Sequence, residues 1–350
     1  MTRDIRPLTD GDLPELSRFL TAGFHTPADA SFADPEVLRW KFLRDVERGG
    51  EPLSYIACDD SGAIVGHVGI CRTAFVGKGI ESPVETLHMI DWLGSREHRS
   101  VGSSLMRKAH ASAATQFGLG GSNAGRAVIE RGGYDLIGQI PVYQRILRPS
   151  YWLRVGGLSA AQRGPRLIRD ALRLGLQRLN RKLTNGPIRI QPVDSFGDEI
   201  LPIVEAAGRY ATLTDRSPDR LNAFLRFPGQ AMTGWHLLGR DDRLLGLVIL
   251  NIVPQDGGKT RIGKVVDCLL DTDDVDSWTG TILALTCELN RQRADLAQVY
   301  AGTPWLASAI EAAGFTTRFA LDFRLRDRGK LVPREGPFHI MPIEADYGYT

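Results

Sequence analysis

Between residues 99 and 104 the chain reads Arg99-Ser100-Val101-Gly102-Ser103-Ser104. A run of small residues that opens a helix leaves backbone N–H groups without intrahelical acceptors, and the helix dipole favours negative charge at that end. Gly102 and Ser104 leave room for a pyrophosphate to approach the main chain, and Arg99 and Arg107 add positive charge. Just upstream, the apolar run 84–94 carries three titratable groups, Glu85, His88 and Asp91. Burial raises a carboxylate's pKa toward the range in which it can take a proton from an incoming nucleophile. Asp91 leads these candidates for a general base, followed by His88 and then Glu85.

These residues need a strand, a turn and a helix in that order. The run 84–93 is β-rich, and Leu105, Ala109, Ala113 and Phe117 recur every four residues, predicting a helix with one apolar face. Pleat alternation puts Glu85, Leu87, Met89 and Asp91 on one face and Thr86, His88, Ile90 and Trp92 on the other, unless a bulge intervenes. His67, on the neighbouring strand, reads as a core histidine.

The chain also repeats itself. A polar turn separates β-rich runs at Asp59-Asp60-Ser61-Gly62 and again at Arg240-Asp241-Asp242-Arg243. A capping residue precedes proline at Asp34-Pro35 and Ser217-Pro218, and a helix closes on glycine and an aromatic at Gly133-Tyr134 and Gly314-Phe315. The offsets agree: Gly66 to Gly246 is 180, Gly133 to Gly314 is 181 and Pro35 to Pro218 is 183. The expected organisation is two copies, 1–150 and 188–350, joined by a basic helical linker over 151–187. Antiparallel strands followed by strand–helix–strand crossovers give an α/β fold with a mixed sheet.

The chain has 350 residues and a net charge of only +2, which selects no class of partner. Within the linker, however, eight basic residues face one acid, Asp170; a solvated helical connector is the expected reading, with contact to phosphate, a membrane surface or the protein's own acidic surface left open. No apolar run approaches the ~20 residues that span a bilayer. The four cysteines are scattered with no CxxC pair, so buried thiols are expected at Cys58 and Cys71, with neither disulfides nor a metal site. The opening residues show no signal-peptide core, and the expected location is the cytoplasm.

In element order and in the pattern Arg99-x-x-Gly102-x-Ser104, the first copy resembles the GNAT acyltransferase superfamily, whose cofactor turn reads Arg/Gln-x-x-Gly-x-Gly/Ala; serine replaces the last residue here. The resemblance implies acetyl-CoA or another acyl-CoA as co-substrate, held by the turn from Arg99 through Ser100, Val101, Gly102, Ser103 and Ser104. It also implies an oxyanion donor near Leu93 and Gly94, a cofactor contact from Asn123, and acyl transfer to a primary amine. The family's tyrosine acid falls near Ile129, so that phenol is missing; Tyr134 and Tyr143 read as core residues. In the second copy Asp271, Asp273, Asp274 and Asp276 stand where the turn should be, so that copy is expected to bind no coenzyme A and to complete the acceptor cleft. The tandem arrangement is similar to Fem-type aminoacyltransferases, which leaves transfer from charged tRNA as an alternative, beside a non-catalytic binding module. The acceptor's identity is not legible.

Overall fold

The computed structural model describes residues 4–44, 50, 54–121, 123–180, 188–344 and 348, without the side chains of 123, 124, 174 and 176–180. The first part of the chain runs β1 (Asp4–Pro7), α1 (Leu13–Gly23), α2 (Pro35–Phe42), β2 (Tyr55–Cys58), β3 (Ile64–Gly77), β4 (Val84–Gly94), α3 (Val101–Ser112), β5 (Thr115–Leu119), α4 (Asn123–Arg131) and β6 (Asp135–Ile146). Then come α5 (Tyr151–Arg154) and α6 (Ala160–Asn180). The remainder is β7 (Arg189–Val193), α7 (Leu201–Gly208), β8 (Thr212–Thr214), α8 (Pro218–Leu225), β9 (Thr233–Leu238), β10 (Leu244–Gln255), β11 (Thr260–Leu270), α9 (Val275–Arg291), β12 (Leu296–Tyr300), α10 (Pro304–Ala312), β13 (Thr316–Asp327) and β14 (Phe338–His339).

Local chemistry explains the shared punctuation. The Asp34 carboxylate accepts from the Glu36 amide at 2.8 Å, with Pro35 starting α2; Pro218 likewise starts α8, but the Ser217 hydroxyl before it donates to Asp215 at 3.0 Å and does not cap the helix. The hairpins close through Asp59 N–H to Ala63 O (3.0 Å) and Gly239 N–H to Arg243 O (2.9 Å). Gly133 and Gly314 both stand at φ +83°, a left-handed conformation that ends α4 and α10. The next amide returns to the helix in each case, Tyr134 to Ile129 and Phe315 to Ile310.

All strands join one mixed sheet of fourteen, whose main path is β1-β2-β3-β4-β5-β13-β6-β12-β11-β10-β9-β7. The order is nearly a palindrome, and its centre is an exchange. β13, from the end of the chain, lies between β5 and β6, antiparallel to both; β6 in turn pairs antiparallel with β12. β8 pairs with the end of β3 and with β14, a second link between early and late segments.

Two sequence expectations change. Helix α3 stops at Ser112, where Ala113 turns extended (φ −156°), so Ala113 and Phe117 are not on its apolar face. Gln116 ends the helix by donating to the Ala109 and Ala113 carbonyls (2.6 and 3.1 Å), and Phe117 belongs to β5. Of the cysteines, Cys58 is buried as expected, but Cys71 is only half-buried and contacts the Lys41 carbonyl through Sγ at 3.7 Å. No described helix is long and apolar enough to cross a membrane.

Candidate functional site

β4 and β5 run parallel but pair only at Leu87–Gln116 and His88–Phe117. Beyond His88, β4 continues to Gly94 with no β5 residue paired to it among the described residues, so the sheet splits into a wedge. At the same point β4 carries a bulge: His67 faces Leu93 and Gly69 faces Ile90, so Asp91 and Trp92 oppose Val68 alone. The bulge contains Asp91 at φ +49°, a left-handed backbone that is costly for any residue but glycine.

The bulge breaks the expected alternation. Leu87 and Met89 pack with α3, as does Trp92, whereas Ile90 and Leu93 pack with the cluster formed by α1 and α2. Asp91 joins the α2 side, where its carboxylate ion-pairs with Lys41; both side chains are nearly inaccessible. Its carbonyl accepts from His67 Nδ1 at 2.9 Å. Glu85 is corrected more sharply. It lies at the start of β4, beyond the cover of α3, with its side chain 62% exposed and paired to Arg72. His88 is buried, stacked on Phe117 (centroids 4.6 Å, planes 11° apart), and lines a small cavity with Trp40, Lys41, Thr73, Arg220 and Glu344. An open groove of about 490 Å³ adjoins it through Arg44, Arg72, Thr73 and Arg220. Early and late segments of the chain therefore share this cleft.

On the other side of the wedge, the turn before α3 reverses at Ser100 (φ +69°). The Val101 amide bonds His98 O at 3.4 Å and the Ser104 amide bonds Ser100 O at 3.0 Å. The Gly102 and Ser103 amides have no hydrogen-bond acceptor outside the helix among the described residues, and helix geometry gives the first-turn amides none inside it. Trp92 lies under the turn, its indole N–H donating to Gly102 O at 3.1 Å. A side chain at Gly102 would press on that ring, with Cζ2 3.2 Å from its Cβ. Gly94 touches the same turn: a Cβ there would stand 3.0 Å from the Gly102 amide. Arg107 donates to Ser104 Oγ at 2.9 Å, so the serine hydroxyl is turned toward the helix. Arg99 is exposed beside the turn. Asn123 opens α4, but its side chain lies outside the described residues.

The late part of the chain also splits between β11 and β12, which pair only over Ile262–Lys264 and Leu296–Gln298. β11 bulges opposite Ile249 and Leu250, beside Asp267. Here other chain segments occupy the site. Asp267 is fully buried against Arg216, whose Nε lies 2.8 Å from it, and Glu344 approaches the same guanidinium at 2.6 Å. His339 Nε2 meets Cys268 O at 3.0 Å, and a Cβ on Gly302 would overlap Phe338 O and Ile340 N. The start of α9 is capped by Asp274, which accepts from the Ser277 amide at 2.8 Å. A carboxylate thus takes the place an anion would need.

Lys41, Trp92, Arg220 and Glu344 were not singled out in the sequence. Lys41 left a trace, a lysine between Trp40 and Phe42 on a helix whose Val37, Leu38 and Phe42 are buried. Tyr134 and Tyr143 are core residues, their hydroxyls donating to Gln116 (2.7 Å) and Glu311 (2.9 Å).

Burial pushes the His67 imidazole down to about 3 and that of His339 to about 4. Both are therefore neutral when folded, while the unfolded chain protonates them near pH 6.5. The sign follows: stability is level above about pH 6.5 and falls below it, by about 1.4 kcal/mol per pH unit for each histidine, until the folded pKa is reached. Urea unfolding at pH 7 and pH 5 should show this loss, and His67→Gln should remove its own share. An unchanged pH slope in that variant would show that His67 does not titrate as stated.

No family model matches the chain, and no curated protein matches it. Solved structures do. A GCN5-related N-acetyltransferase from Anabaena variabilis is 12% identical at a TM-score of 0.60, covering 94% of this chain and 73% of that one. The N-myristoyltransferase of Saccharomyces cerevisiae, with bound myristoyl-CoA, is 10% identical at 0.63, covering 93% and 82%. A probable N-acyltransferase from Enterococcus faecalis is 13% identical at 0.57, covering 94% and 74%. The chain shares their GNAT-type fold.

Proposed function

We infer that the protein is an acyl-CoA-dependent acyltransferase that passes an acyl group to a primary amine in the cleft shared by its early and late segments. The observation that carries this reading is the convergence of three features at one wedge: the β4–β5 split, the bulge at Asp91, and the Gly102 and Ser103 amides at the mouth of α3. Those amides and Arg99 would hold the pyrophosphate, and the thioester would lie in the wedge. A backbone N–H near Leu93 and Gly94, on the unpaired edge of β4, would meet the carbonyl oxygen as it gains charge. The amine nitrogen attacks the thioester carbon, the C–S bond breaks, and coenzyme A leaves as a thiolate. Holding both reactants in one cleft removes the entropic cost of their encounter.

The geometry favours His88 as the group that takes the amine's proton. It lines the inner part of the cleft, whereas Asp91 is engaged with Lys41 behind it and Glu85, on the open groove, is exposed and paired with Arg72. Asp91 then works by holding the bulge. Two diverged copies, 1–150 and 188–350, with the basic connector 151–187 between them, account for the matched offsets and caps. The neighbours include a structure with bound myristoyl-CoA, so long acyl chains belong in the donor screen beside acetyl.

The test is amine-dependent release of free thiol from acetyl-, octanoyl- and myristoyl-CoA. His88→Ala is expected to lower kcat by about 10²–10⁴-fold, the range for a lost general base, with acyl-CoA binding retained. Asp91→Asn takes away the carboxylate that ion-pairs with the buried Lys41 ammonium and should cost roughly 3–5 kcal/mol of stability. Lys41→Met with Asp91→Leu should regain most of it. Wild-type protein that neither binds acyl-CoA nor releases thiol would sink the assignment, while full activity in His88→Ala would remove only the base.

A further inference from the structure

Away from the wedge, α5, α6 and the ends of β6, β12 and β13 enclose a cavity of about 410 Å³. Five guanidiniums line it, Arg145, Arg166, Arg169, Arg173 and Arg318, and a single carboxylate, Asp170. That carboxylate is already committed. Arg169 holds both its oxygens at 2.8 and 3.0 Å, and the Trp152 indole N–H donates to it at 2.8 Å. Arg166 lies over the Trp152 ring, 5.1 Å from its centroid. Arg166, Arg173 and Arg318 make no ion pair among the described residues.

Helix α6 faces this cavity in an unusual sense. Arg166 and Asp170 share the side turned to the body of the protein, with Arg173 at the cavity's exposed rim, while Ile168 and Leu172 are 60% and 65% exposed. A surface helix ordinarily buries its apolar stripe and exposes its charges. Among the described side chains of α6, it is a charged face and not an apolar stripe that turns inward. Guanidiniums gathered around one concavity repel one another unless an anion joins them, and their planar forks match phosphoryl oxygens two at a time.

We propose that this cavity binds a small ligand carrying two or more linked phosphoryl groups, which ties the connector helix to the strands where early and late segments interlock. The number of unpaired guanidiniums favours several negative charges over one. The concave shape, walled by α5, α6 and three strand ends, favours a small molecule over an extended nucleic-acid backbone. The site is separate from the turn at Gly102 and does not depend on the acyltransferase reading.

The probe is inorganic tripolyphosphate, added to the full chain, with sodium chloride matching its ionic strength in the control. At a hundredfold excess over Kd the unfolding midpoint should rise by on the order of 5 °C. Arg166→Ala with Arg318→Ala should abolish the rise, and Arg99→Ala should keep it. Arg318→Lys, on an exposed residue, retains charge without the fork and should weaken binding about tenfold by calorimetry. No shift in the wild type, or an undiminished shift in the arginine variants, overturns the proposal. So does a short single-stranded RNA that displaces tripolyphosphate and binds more tightly, since the surface would then be a nucleic-acid one.

Discussion

Residues 1–150 expressed without the rest of the chain will not give a stable monomer, although they contain the wedge, the turn and most of the candidate site. The reason is β13. It supplies five paired positions to β5 and nine to β6, so its removal strips the inner edges of both strands at once. Phe323 and Leu325, fully buried beside Phe117 and Ile140, leave with it. Buried side chains of that size are each worth about 1.5–3 kcal/mol, against a whole-domain stability of about 5–15 kcal/mol. The fragment is expected to aggregate, or to show no cooperative urea transition by circular dichroism. Co-expression with 151–350 should restore a soluble complex of the two pieces. A monomeric 1–150 with a sharp transition would mean that β5 and β6 can close on each other without the exchanged strand.

The second large effect is expected at Gly66. A Cβ there would stand 2.8 Å from Leu105 Cδ1 and closer still to Val101 Cγ1, two fully buried side chains at the start of α3. Neither can yield in a close-packed core without moving the helix. Gly66→Val should therefore cost about 1–3 kcal/mol and displace the Gly102 and Ser103 amides from the mouth of the wedge. Acyl-CoA affinity should fall more than tenfold, because those amides hold the donor only in register. Gly118→Ala is the matched control, since a Cβ there meets nothing within 4 Å. Calorimetric titration of both variants decides the matter: wild-type affinity in Gly66→Val would detach the turn's position from donor binding.

Much of this arrangement was legible because it is local. The strand, turn and helix around Gly102 follow from residue types within twenty positions, as do the paired caps and hairpins. What escaped depends on distance along the chain. Nothing near residue 320 says that it pairs with residues 119 and 140, and strand exchange leaves no periodic trace. Lys41 and Asp91 are fifty residues apart, and their meeting needs a bulge with a left-handed aspartate that pleat alternation does not anticipate. Glu85 was misplaced because alternation specifies a face but not whether a helix extends far enough to cover it. Phe117 was assigned to a helix because its spacing from Leu105 fits one, whereas the extended Ala113 ends that helix four residues earlier.

The interlocked centre of the sheet also bears on how the protein is made. A ribosome adding ~5–20 residues per second needs roughly 10–35 s between finishing β6 and finishing β13. Throughout that interval β5 and β6 are synthesised but lack their shared neighbour, and each offers bare amides and carbonyls to any passing strand. The early segment therefore lacks the strand that completes its sheet until the last long strand has been made and fits between them.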